Sequence, residues 1–186
     1  MILRLATPED VPALRKLIDA SVRALQAQDY TPEQIELALA HVFGTDAQLI
    51  SDGTYFVVET TTNWGETAIA GCGGWSKRRT LYGGDHTAGR SDELLDPARE
   101  AAKIRAFFVH PDWSRRGVGS TILEACEKAA IQAGFSICEM GATLTGERLF
   151  RARGYRVIER IEVPLGEGLS LPVVRMGKSL APAAGE

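Results

Sequence analysis

Apolar positions along the chain fall into two periods, and the places where the period changes outline the elements. Ile2-Leu3-Arg4-Leu5 reads as a short strand. Thr7-Pro8-Glu9-Asp10 then supplies an N-cap, a proline at the first helical position and acids in the first turn. Val11, Leu14, Leu17, Ile18 and Val22 follow at helical spacing. Thr31-Pro32-Glu33-Gln34 forms a capping box for a second helix, which Ile35, Leu37, Leu39 and Val42 carry to Gly44. Residues 55–59 and 67–75 are strand-like, with a hairpin turn at Asn63-Trp64-Gly65. Gly71, Gly73 and Gly74 in the second of these strands predict a bulge or a close approach by another backbone or a ligand. Residues 77–101 show no clear period, and a loop of that length reads as a lid, a binding loop or a disordered segment.

Residues 103–109 form the next strand. Val118, Ile122, Ala125, Cys126, Ala129 and Ala133 then mark one face of a helix that stops at Gly134. A strand at 136–143, a helix from 145 to Gly154 and a final hairpin turning at 164–168 complete the order, with Pro172 placing its strand at an edge or a strand start. This order is that of a mixed α/β (α+β) domain over residues 1–180, followed by a loose tail at 181–186. A length of 186 residues fits one domain with a real core.

Composition narrows the function. A net charge of −3 with pI near 5.7 argues against a general nucleic-acid or membrane-surface binder. Cys72, Cys126 and Cys138 form no CxxC pair and leave one thiol over in any disulfide scheme, so they read as buried small hydrophobes in a reducing compartment. The N-terminus lacks a signal-peptide apolar run, and no stretch is apolar for long enough to span a membrane. The expectation is a cytoplasmic protein without a metal site.

The chemistry concentrates at Phe107-Phe108-Val109-His110-Pro111-Asp112-Trp113-Ser114-Arg115-Arg116-Gly117-Val118-Gly119-Ser120. A buried strand, a Pro-Asp turn and a basic glycine-rich loop open directly onto a helix. That order puts free backbone N–H groups and the positive end of a helix dipole where a phosphate can sit. A P-loop would need Lys-Ser or Lys-Thr after the second glycine, and a dinucleotide fingerprint would need a third glycine where Ile122 stands. Both alternatives fail on these residues.

The segment from Ile104 to Phe135 resembles the central motif of the GCN5-related N-acetyltransferase (GNAT) superfamily, a strand ending V-x-P, then [QR]xxGx[GA] and a long helix. Leu149-Phe150-Arg151-Ala152-Arg153-Gly154-Tyr155 is similar to the family's late LYxxxGF/Y segment, and the element order matches from Ile2 to Leu180. The resemblance implies a mostly antiparallel sheet of six to seven strands flanked by about four helices, with splayed central parallel strands. It implies an acyl-CoA-dependent N-acyltransferase that moves acetyl from acetyl-CoA to a primary amine by direct transfer in a ternary complex. The backbone amides of Arg115, Arg116, Gly117, Val118, Gly119 and Ser120 would wrap the coenzyme pyrophosphate. The backbone of Phe107, Phe108 and Val109 would bind the pantetheine arm, with Thr143 and Gly146 as secondary contacts. The alternatives are an acyl-CoA-binding or sensing module with little or no turnover, and O-acylation or a longer acyl donor. The exposed strands of the final hairpin offer a homodimer surface.

Two residues depart from the family pattern. Ser114 takes the first position of [QR]xxGx[GA], and Phe150 stands where many members carry the tyrosine that protonates the leaving thiolate. No catalytic residue follows from the sequence. His110 reads as a strand-end residue, His86 and Asp85 as loop residues, Tyr155 as core-facing and Tyr82 as a loop residue that could act. Lys77-Arg78-Arg79 reads as a solvated strand end or a contact for the coenzyme 3′-phosphate or an acidic acceptor. Asp85, Asp92, Glu93 and Asp96 form an acidic loop tip able to attract a cationic amine.

Overall fold

The structure is a computed structural model and describes residues 1–62, 64–166 and 168–180. The expected tail at 181–186 and Asn63 of the expected hairpin turn lie outside the described residues. Among the described residues seven strands form one sheet in the order β1-β2-β3-β4-β5-β7-β6. They are β1 (Ile2–Leu5), β2 (Tyr55–Thr61), β3 (Thr67–Ser76), β4 (Ala102–Val109), β5 (Ile137–Thr143), β6 (Arg156–Gly166) and β7 (Leu169–Ser179). Every neighbouring pair is antiparallel except β4–β5.

Among the described residues five α-helices cover the faces: α1 (Val11–Leu25), α2 (Pro32–His41), α3 (Ala47–Ser51), α4 (Val118–Gln132) and α5 (Leu144–Ala152). Leu14, Leu17, Ile18 and Val22 of α1 join Tyr55, Val57 and Phe108 in a core on one face. Val118, Ile122, Leu123 and Cys126 of α4 join Ile104, Met140 and Phe150 on the other. The i, i+3, i+4 spacing of these residues is what lets each helix bury a single stripe.

Local chemistry sets the helix starts. Gln34 N–H donates to Thr31 Oγ1 at 3.2 Å and Thr31 N–H to Gln34 Oε1 at 2.9 Å, which closes the expected capping box. Thr7 heads a 3-10 turn at Pro8–Asp10 that runs into α1, its N–H donating to the Asp10 carboxylate at 2.8 Å. Two expectations shift. The second helix ends at His41 rather than Gly44, and α3 adds a helix that is too short to show a period. Asp46 caps it, accepting from Leu49 N–H at 3.2 Å.

Pro172 lies within an interior strand, which corrects the edge or strand-start expectation. The β5–β7 pairing ends at Thr143↔Val173, so the β5 side of Pro172 faces no strand. A strand residue's N–H and C=O point to the same side. The missing donor therefore falls on this open side, where Pro172 O accepts from Tyr30 Oη at 2.8 Å.

Two features of the central strands shape the cleft. The β4–β5 pairing covers only Ala102↔Cys138, Lys103↔Glu139 and Ile104↔Met140, after which the strands part. One extra residue on β4 opposes β3 between the pairs Gly74↔Arg105 and Cys72↔Phe108, and Ala106 takes φ +54° there. Two glycines of β3 face this bulge and α4. A Cβ on Gly73 would come within 2.6 Å of the Phe107 ring, and one on Gly71 within 2.6 Å of Val118 Cγ1.

Candidate active site

The parted strands open a cavity of about 710 Å³ that runs from the α4 N-terminus to the apex where β4 and β5 separate. Phe107, Phe108, Val109, Arg115, Gly117, Val118, Gly119 and Ser120 lie on its wall, as do Thr143 and Gly146. Arg116 does not, and its guanidinium instead stacks on the Trp113 ring at 5.1 Å.

The loop before α4 has the geometry of an anion cradle. Arg115 takes φ +57° and Gly117 φ +85°, so left-handed residues alternate with others and turn successive N–H groups toward one concavity. Ser114 N–H is taken by Pro111 O, but no N–H from 115 to 120 makes a hydrogen bond among the described residues. Those of 118–120 are the free donors of the first helical turn. Gly117 is the position that needs no side chain, because φ +85° disfavours one. Arg153 was not singled out from sequence, yet its Nε donates to Ser120 Oγ at 3.1 Å and steadies the loop from α5.

Along the cleft, the Phe107 side chain turns to the α4 face and meets Phe150 edge to face at 5.8 Å. Phe108 turns to the other face against Phe43 at 5.9 Å. Val109 N–H donates to Ser21 Oγ at 3.3 Å, so α1 already engages one of the three strand residues expected to bind a ligand through backbone. Thr143 Oγ1 accepts from Gly146 N–H at 3.1 Å, which makes that pair the cap of α5 as well as part of the wall.

The far wall is assembled from segments distant in sequence. Tyr30 Oη accepts from Leu144 N–H at 2.8 Å while donating to Pro172 O, and so pins the α1–α2 corner to β7 and α5. Burial pushes its phenol up to about 12. Gln26, the C-cap of α1, is only 6% exposed, and its Oε1 is buried on the wall without a partner. Arg105 of β4 donates to Gly83 O at 2.6 Å and lies 2.7 Å from Asp46 Oδ2. Asp46 Oδ1 also accepts from Arg90 at 3.0 Å. Burial lowers the affinity of Arg105 for its proton, and the fully buried Asp46 opposes that effect.

The loop at 77–101 is therefore fastened along its length. Arg78 bridges to Leu94 in backbone and to Asp52 at 2.8 Å in side chain, and Arg79 pairs with Glu93 and Glu100. Gly84 N–H donates to Val42 O at 2.9 Å, and both Asp85 oxygens accept from Ala47 N–H. Leu81, Tyr82, Gly83 and Gly84 alone of this loop reach the cavity. Neither the basic run at 77–79 nor Asp85, Asp92, Glu93 and Asp96 lies on its wall.

The remaining candidates for proton transfer separate clearly. His110 Nδ1 accepts from Asp112 N–H at 3.3 Å, and His86 packs on Gly44, where a Cβ would come within 2.6 Å of its ring; both are off the wall. Tyr155 is buried behind Phe150, its hydroxyl has no partner, and burial raises its pKa strongly. Cys72, Cys126 and Cys138 are buried free thiols, also off the wall. Among the described residues no group of three His, Cys, Asp or Glu could hold a metal, and no helix is long and apolar enough to cross a membrane.

A seven-stranded sheet that splays beside a bulged strand and ends in a backbone anion cradle defines the class. The acetyltransferase (GNAT) family matches residues 17–155, and the chain belongs to that family. It is similar over its length to a GCN5-related N-acetyltransferase from Rhodopseudomonas palustris, at 27% identity and a TM-score of 0.68, with 96% of this chain and 95% of the other covered. YncA of Salmonella typhimurium, solved with its cofactor acetyl-CoA, shares the fold at 17% identity and a TM-score of 0.60, with 100% and 97% covered. PaiA N-acetyltransferase of Thermoplasma acidophilum, in complex with coenzyme A, does so at 13% identity and a TM-score of 0.60, with 96% and 98% covered. No curated protein matches the chain.

Proposed function

We propose that this protein is an acyl-CoA-dependent N-acyltransferase that moves acetyl from acetyl-CoA to a primary amine by direct transfer in a ternary complex. One observation carries the reading: the cleft between β4 and β5 ends at a loop whose N–H groups from 115 to 120 are unengaged. A pyrophosphate accepts hydrogen bonds only, and a helix N-terminus adds favourable charge. The coenzyme complexes of PaiA and YncA support the same choice of ligand. Charge from Arg115 on the wall compensates for Ser114 at the start of the motif.

Within the cleft the parted edges of β4 and β5 offer backbone groups to the pantetheine arm, as an added strand would meet them. The amine must reach the thioester carbonyl from the other side, past Gln26, whose unpaired Oε1 suits an N–H donor. Three buried thiols fit a reducing compartment, and we assign the protein to the cytoplasm.

Phe150 favours a second reading, a coenzyme-binding module without turnover, because a phenyl ring has no proton for the departing thiolate. A thermal-shift titration with acetyl-CoA, followed by a thiol-release screen over primary amines, separates the two. Stabilisation with release supports the enzyme, and stabilisation with no release from any amine supports the sensor. No stabilisation by acetyl-CoA or CoA removes both.

A further inference from the structure

Transfer leaves a thiolate that needs a proton and an ammonium that must lose one. The following inference rests on the reading above and asks which group on this wall can handle both. The four tyrosines differ sharply. Tyr30 Oη is used twice in binding α1 to β7 and α5. Tyr55 Oη is buried and bonds Ala106 O and Cys72 Sγ, both at 3.1 Å. Tyr155 is off the wall. Tyr82 is on the wall, partly exposed, and its hydroxyl makes no hydrogen bond among the described residues. The histidines and cysteines are all off the wall, and the single described carboxylate on it, Asp29, already accepts from Thr145 Oγ1 at 2.5 Å.

Position agrees with this elimination. β4 and β5 part after Ile104↔Met140, so Gly141 is the first residue of β5 beyond the pairing. The Tyr82 side chain lies over it, for a Cβ on Gly141 would meet Tyr82 Cβ and Cδ1 at 3.5 Å. Tyr82 thus stands at the apex of the cleft, at the opposite end from the anion cradle. A coenzyme anchored at 115–120 with its arm between the strands brings its sulfur toward this apex. Arg105 holds the adjoining Gly83 carbonyl at 2.6 Å and Val42 O holds Gly84 N–H at 2.9 Å, which fixes the turn on both β4 and the α2–α3 connection.

We infer that Tyr82 is the proton-transfer residue of this acetyltransferase and supplies the phenol that Phe150 lacks. The amine nitrogen attacks the thioester carbonyl carbon, and a C–N bond forms. The adduct collapses, the C–S bond breaks, and its electron pair leaves on sulfur. Tyr82 Oη gives its proton to that sulfur and regains one from the nitrogen. The products are the amide and the free coenzyme thiol, with no other reactant needed.

The test uses Tyr82→Phe, which keeps the ring on Gly141. With the fastest-turned-over amine among spermidine, lysine methyl ester and tyramine, kcat falls about 100-fold while the KM for acetyl-CoA stays within twofold. A second measurement needs no acceptor: the pH midpoint for alkylation of the thiol of bound CoA. A hydroxyl donating to the thiolate lowers that midpoint in the wild type relative to free CoA, and Tyr82→Phe raises it by about one unit. CoA binding with an unshifted wild-type midpoint, or one unchanged by Tyr82→Phe, overturns the assignment of Tyr82 alone. So does a kcat lost in Asp29→Asn and kept in Tyr82→Phe. Failure to bind CoA at all overturns the acetyltransferase reading itself.

Discussion

The two ends of the cavity are built by opposite means. The end proposed for the coenzyme comes from one stretch of sequence, between Phe107 and Ser120, and presents mainly backbone N–H groups. The other end, where we propose that the acceptor enters, draws Gln26, Phe43, Tyr82, Arg105 and Val173 from five separate segments and presents side chains. A backbone cradle is indifferent to most side-chain changes and sensitive to those that alter φ or fill the concavity. An assembled wall is sensitive to any contact that holds its segments in place.

The largest effect is expected where the assembled wall is pinned. Asp46 is fully buried between Arg105 and Arg90, so Asp46→Asn leaves the buried Arg105 guanidinium without its counter-charge and destabilises by about 3–5 kcal/mol. Urea unfolding measures this, and a midpoint unchanged from the wild type would make the cluster a bystander. Next comes the cradle. Gly117→Val forces a β-branched residue to φ +85°, which costs about 1–2 kcal/mol, and relief of that strain distorts the turn that presents the free N–H groups. Coenzyme A affinity should fall about 100-fold by calorimetry, with the melting temperature lowered only by the backbone strain. Retained affinity would mean that the pyrophosphate sits elsewhere.

Gln26→Leu sharpens the comparison from the acceptor side. The Gln26 Oε1 has no partner to lose, so folding stability should hold or rise while the acceptor KM rises about tenfold. A loss of stability with an unchanged KM would make Gln26 a structural residue. The smallest effect concerns the root of the loop. Hydrogen bonds from Arg78 hold the Asp52 carboxyl below its ordinary 3.8. A depressed folded pKa means that the stabilisation is complete above about pH 4 and disappears as pH falls through the folded value. Amide exchange in residues 77–95 should therefore be flat from pH 7 to 5 after correction for intrinsic rates, and rise below 4. Asp52→Asn should show the faster exchange at pH 7 and lose the acid step.

Much of the first region was legible from the sequence because its determinants are local. Pro111, Gly117 and the apolar stripe from Val118 dictate strand, turn and helix within about fifteen residues, and the backbone then has few ways to arrange itself. Phe150 was equally legible as a residue that gives no proton. The loop at 77–101 was not. Its order comes from Arg78 meeting Asp52, from Arg90 meeting Asp46 and from Gly84 meeting Val42, contacts between positions 26 to 44 residues apart that carry no period. The placement of the Arg116 guanidinium over the Trp113 ring is a further contact that carries no period.

By itself, then, the sequence determined the order of the strands and of the longer helices, the helix caps and the glycine-rich loop that opens onto α4. These follow from backbone conformation and short-range periodicity, which neighbouring residues settle among themselves. Only the tertiary structure decided where β4 and β5 part, that Gln26 is buried without a partner and that Tyr82 lies over Gly141 at the apex. Those outcomes depend on which distant segments meet, and that is set by how two hydrophobic faces close on one sheet rather than by any residue's own preference.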